Sequence, residues 1–112
     1  MSPAPDVDRL AASILHRLAD MFALGPVPSS TVDEPVFLEE SYRVAGRSLD
    51  SVDVIELIVQ LETDFGIRLL DRGDLTEAAT LRGLAELVAF RADALAIARF
   101  CRSWPPVTDG LS

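Results

Sequence analysis

The sequence predicts an all-α fold, a small four-helix bundle with a long loop between helices one and two. Three observations carry this. Apolar residues recur at three- and four-residue steps in segments that begin near residues 6, 50 and 80. Proline and glycine punctuate the chain between those segments. No stretch shows a convincing strand pattern, and there are no internal repeats.

Residues 1–5 hold two prolines and are expected to fray. Helix one is expected over 6–24. Val7, Leu10, Ile14, Leu18 and Met21 form its stripe, Ala11, Leu15 and Phe22 widen it, Asp6 caps its start and Gly25-Pro26 stops it. Residues 25–50 read as the long loop, with Phe37, Leu38, Tyr42 and Val44 pinning it to the core and room for one short helical turn. A loop of this length in a small domain often carries function.

Helix two begins at Asp50. Val54, Leu57, Ile58, Leu61 and Phe65 follow a core-facing period, and Gly66 suits the position just past the end. A second apolar stripe, Val52, Ile55 and Val59, lies on another face, which calls for a packed neighbour or an external partner. A short third helix is expected near 74–79. Thr80 caps the last helix, whose stripe is Leu81, Leu84, Leu87 and Val88. Leu95 and the alanine-rich run after it extend this helix to about Arg102, before Trp104-Pro105-Pro106. The segment after that reads as a loose tail.

A length of 112 residues suits one domain with a modest core. The formal net charge of −8 repels phosphate backbones and anionic bilayers, which excludes nucleic acid and membrane surfaces as expected partners. Complementary partners carry basic patches. The lone Cys101 cannot form an internal disulfide or a multi-cysteine metal site, and it reads as a small apolar group on the last helix. The first residues lack a basic stretch followed by an apolar run, and no apolar run is long enough to span a bilayer. The expectation is a cytoplasmic monomer.

Ser51 stands between Asp50 and Asp53 at the start of helix two. Asp or Ser in such a place is most often a cap. Here Asp50 can cap alone and Asp53 suits the helix dipole, which leaves Ser51 free toward solvent. A catalytic serine needs a base. The one histidine, His16, lies on helix one, and neither a G-x-S-x-G turn nor a Ser-x-x-Lys motif surrounds Ser51. If Ser51 reacts, another enzyme supplies the base and the electrophile. Arg72-Gly73-Asp74 reads as a chance adhesion tripeptide. Asp71, Asp74 and Glu77 match no calcium loop and read as a solvated or partner-facing acidic surface.

Asp50-Ser51-Val52-Asp53, then Glu56-Leu57, Leu61-Glu62 and Phe65-Gly66-Ile67, in this order and spacing, resemble the acyl carrier protein family in its discrete, type II form. The resemblance covers roughly residues 6–93 and leaves 94–112 as an extension of the last helix and a tail. Val52 stands where the family has leucine. The resemblance implies a bundle of acyl-carrier type. It implies a 4′-phosphopantetheine arm on Ser51, transferred from coenzyme A by a separate, magnesium-using phosphopantetheinyl transferase, and acyl groups held on the arm's thiol as thioesters. It also implies that Asp50, Val52, Asp53, Ile55, Glu56, Val59 and Glu62 meet the basic docking patches of acyl-loading, condensing or tailoring enzymes. The protein would act as a carrier in fatty acid, polyketide or related natural-product assembly and catalyse nothing itself. A peptidyl or aminoacyl carrier, and a carrier-like scaffold or regulatory protein that is never modified, stay open as alternatives.

Overall fold

Asp6 opens the first helix, α1 (Val7–Met21), by accepting the Arg9 amide at 3.1 Å. The computed structural model describes residues 6–37, 42–68 and 72–107; Leu38, Asp71, residues 1–5 and residues 108–112 lie outside these. The α1 stripe is real: Leu10, Ala11, Ile14, Leu15 and Leu18 are fully buried. The helix stops at Met21, short of 24, because Ala23 and Gly25 take left-handed backbone conformations.

The expected helical turn in the first loop is a 3₁₀ turn at Ser29–Asp33, which buries Thr31 and Val32. Beyond it Val36 and Phe37 enter the core, and their amides both donate to the Ala79 carbonyl, at 2.8 and 2.9 Å. The bundle is mostly helical as expected, but the rest of this segment holds one short hairpin where no strand was expected. Strands β1 (Tyr42–Val44) and β2 (Arg47–Leu49) pair antiparallel, with Tyr42 opposite Leu49 and Val44 opposite Arg47. Ala45 and Gly46 make the two-residue turn, and both have positive φ, the pattern that matches strand twist in tight hairpins. Val44 and Leu49 point into the core.

α2 (Ser51–Phe65) buries Val54, Leu57, Leu61 and Phe65, while Ile58 is only half-buried. Gly66 closes it at φ 66°. α3 (Arg72–Ala78) is short. α4 (Leu81–Arg91) starts on Thr80, whose hydroxyl accepts the Gly83 amide at 3.0 Å, and buries Leu81, Leu84, Ala85 and Val88.

The last helix does not run on to Arg102. It breaks at Ala92, and α5 (Ala94–Ser103) restarts on Asp93, whose carboxylate accepts the Ala96 amide at 2.8 Å. Aspartate competes for backbone donors and so favours caps over helix interiors. Leu95 therefore does not continue the α4 stripe; it is 66% exposed. The described residues thus form five helices and one hairpin around a single core.

α5 belongs to that core. Ile97, Phe100 and Cys101 are buried, and the Phe100 ring lies 4.4 Å from that of Phe65 on α2. Trp104 packs edge-on against His16, and the Arg17 guanidinium lies 4.5 Å over its ring. His16 Nδ1 meets the Pro105 carbonyl at 2.7 Å, and the Val107 amide donates to the Ala12 carbonyl at 3.2 Å, so residues 104–107 are strapped along α1 rather than loose. Arg17 also reaches Asp64 at 3.1 Å and ties α1 to α2. Arg82 on α4 pairs with Asp33 and Asp8.

Gly83 lets α4 start tight against the end of α3. A Cβ there would sit 2.2 Å from the Ala78 carbonyl oxygen, a backbone atom that cannot swing aside. Gly83→Ala is therefore expected to lower stability by about 1–3 kcal/mol despite alanine's better helix propensity. A urea denaturation midpoint checks this; an unchanged or raised midpoint would contradict the close approach.

Candidate functional site

The hairpin and α2 together build the site. β2 ends with Leu49 anchored in the core, and the chain turns at Asp50 directly into α2. Asp50 and Asp53 form a reciprocal capping box. Asp50 Oδ1 accepts the Asp53 amide at 2.9 Å, and Asp53 Oδ2 accepts the Asp50 amide at 3.1 Å. This fixes the backbone on both sides of Ser51. The cap role thus falls to the aspartates, and Ser51, the first helical residue, is exposed. The amides of Ser51 and Val52 precede the first intrahelical bond, so the end of the helix that carries Ser51 favours negative charge.

The helical repeat sets the apolar stripe beside the serine. Ile55, Val59 and Val52 stand four, eight and one positions after Ser51 and are 56%, 54% and 63% exposed. No described element covers them. Glu56 is exposed on the far flank of this stripe, while Glu62 lies half-buried on the serine's flank and is already engaged within the chain. Asp50 and Asp53 each commit one lone pair to a backbone amide, and a carboxylate retains further acceptor sites for an incoming cation. Of the residues singled out from the sequence, Asp50, Ser51, Val52 and Asp53 lie at the N-terminal end of α2, Ile55, Glu56 and Val59 follow over the next turns, and Glu62 lies in the last turn.

Among the described residues no histidine is paired with Ser51. His16, the one histidine, is occupied with Pro105 and Trp104. All ten basic residues are arginines, so no lysine amine serves as a base. No group of three or more metal-ligating side chains occurs among the described residues. No described helix is long and apolar enough to cross a membrane. Cys101 is a buried thiol on α5.

An exposed serine hydroxyl thus stands at a capped helix N-terminus beside uncovered apolar side chains. Two features of this site escaped the sequence reading. The hairpin that aims Asp50 into α2 was signalled by Ala45-Gly46 between Tyr42-Arg43-Val44 and Arg47-Ser48-Leu49. The strap from Trp104 to Val107 was signalled only by an aromatic residue near the end of an alanine-rich helix.

Residues 38–88 match the family described as the phosphopantetheine attachment site, just under half of the chain, with Ser51 inside the match. That family is the site of covalent 4′-phosphopantetheine attachment, and its domains are non-catalytic carriers. The match is consistent with a member of the acyl carrier protein family, as is the mostly helical bundle. Comparison with curated proteins gave no match, and comparison with solved structures gave none.

Proposed function

We propose, for a chain whose residues 38–88 match the phosphopantetheine attachment family, that Ser51 is the attachment residue and that the protein carries acyl intermediates between partner enzymes. The single observation that carries this is the exposed Ser51 hydroxyl at the capped start of α2, with Asp50 and Asp53 taking the capping role in its place. The arm supplies a thiol that holds an acyl group as a thioester. The chain supplies everything else. Ser51 Oγ would attack the pyrophosphate linkage of coenzyme A and displace 3′,5′-ADP. The capping box fixes the backbone that carries the serine, and the free amides at the start of α2 favour the negative charge of the phosphodiester that results. The base comes from the transferase: His16 is held by Pro105 and Trp104, the chain has no lysine, and Asp50 and Asp53 are engaged in the capping box.

Val52, Ile55 and Val59, with Asp50, Asp53, Glu56 and Glu62 around them, form the surface that partner enzymes read. Uncovered apolar anchors rimmed by acids suit a basic partner patch with an apolar centre. The cargo is an acyl group in fatty acid, polyketide or related natural-product assembly. Two facts favour a thioester cargo. A lysine amine attacks a thioester carbonyl, forms an amide and displaces the thiol; this chain has no lysine. Its lone cysteine, the other competing nucleophile, is buried.

Ile55→Asp tests the surface. Ile55 is more than half exposed, so the change is expected to leave stability within about 0.5 kcal/mol. It should lower the transferase's kcat/KM on this protein roughly ten-fold. An unchanged kcat/KM would remove α2 from the docking role. The carrier reading is tested by loading with an acyl-coenzyme A and a phosphopantetheinyl transferase, then adding neutral hydroxylamine. Acyl mass gained and then released as a hydroxamate supports a thioester carrier. A failure to accept any arm supports the unmodified scaffold.

A further inference from the structure

We propose that the α3–α4 side of the bundle is a second protein-docking surface, shaped for a basic segment that carries an apolar side chain. It is separate from the α2 face and does not depend on the reading of Ser51.

The anchor is Phe90. It is 90% exposed, the most exposed large apolar side chain among the described residues. α4 already fills its core stripe with Leu81, Leu84, Ala85 and Val88, so Phe90 has no place inside the bundle. One turn back along the same face lie half-buried Leu87 and exposed Glu86. Beside them a groove of about 410 Å³ opens between α3 and α4, with Asp74, Glu77, Glu86 and Arg91 in its wall. Three carboxylates face one guanidinium there, and Arg91 lies 3.8 Å from Asp74, which offsets that one acid. Glu77 and Glu86 are exposed and join no ion pair among the described residues.

This chemistry selects the occupant. A lysine or arginine head fits the acid-lined groove, while its stem and a neighbouring apolar side chain cover Leu87 and Phe90. A second copy of this chain would bring the same carboxylates and another net charge of −8, which opposes pairing. α4 packs on α1 and α3, whereas α2 packs on α5 and β2. The two uncovered apolar faces therefore belong to helices that are not principal packing partners. A protein seated on α4 leaves Ser51 and the α2 stripe open, so one partner can hold the chain while another acts at the serine.

The test uses the full chain, ¹⁵N-labelled, titrated with a synthetic amphipathic helix of leucines and lysines. The expected result is chemical-shift changes centred on Glu77, Glu86, Leu87 and Phe90. Phe90→Ser should weaken the peptide at these positions about ten-fold. Glu77→Gln with Glu86→Gln should weaken it further and flatten its salt dependence. Ile55→Asp should leave α4 binding intact. Phe90 is almost wholly exposed, so circular dichroism of Phe90→Ser should match the parent. Shift changes confined to Val52–Val59, or peptide binding by Phe90→Ser as tight as the parent's, would overturn the proposal. Concentration-dependent shifts at Phe90 without peptide would overturn it too, by assigning the face to self-association.

Discussion

Phe100→Ala is expected to destabilise the protein by about 3–5 kcal/mol, measured as a fall in the urea midpoint at constant slope. The ring is 3% exposed and lies 4.4 Å from Phe65, so truncation opens a cavity between α5 and α2 that neighbouring helices cannot fill. That is a large part of the roughly 5–15 kcal/mol that holds a typical domain folded. Phe90→Ala is the control. The same chemical change at an exposed site should move the midpoint by less than about 0.5 kcal/mol. The contrast separates a working core helix from an appendage. A small effect at Phe100 would mean that α5 merely rests on the bundle, and Trp104 against His16 and Arg17 would then be a surface contact of little weight.

Ser51→Ala is expected to abolish gain of a phosphopantetheinyl group while leaving the fold untouched. Ser51 is exposed, and the capping box that starts α2 uses Asp50 and Asp53. Removing the hydroxyl therefore deletes no cap, and alanine is a good helix former at that position. The expected change in stability is within about 0.5 kcal/mol. Asp50→Ala should behave in the opposite way. It breaks the capping box and lowers stability by about 1 kcal/mol, yet it keeps a hydroxyl that can be loaded. The two variants together separate the chemical role of Ser51 from the structural role of its neighbour. A destabilised Ser51→Ala that still gained the arm at another serine would reverse both assignments.

Much of this was legible in the sequence because the local signals were strong and agreed with one another. The α1 and α2 stripes repeat at 3.6 residues, and Asp6, Asp50 and Thr80 cap where expected. The exposure of Val52, Ile55 and Val59 followed from α2 having two apolar faces and only one core. The hairpin was missed because each strand has three residues, too few for alternation to stand out in a loop rich in turn-formers. The α4–α5 break was missed because alanine-rich sequence supports helix on both sides. Only Asp93, three residues before the amide it caps, marks the restart. Ties such as Val36 and Phe37 to Ala79, or Val107 to Ala12, join residues far apart in the chain and leave no local pattern.

The most direct test is an intact mass of the purified protein after incubation with coenzyme A, magnesium and a broad-specificity phosphopantetheinyl transferase, followed by fragmentation of the peptide that contains residues 48–68. The expected result is a gain of one phosphopantetheinyl group, located on Ser51. Folded protein that gains no mass with two different transferases, or that carries the group elsewhere, would contradict the account.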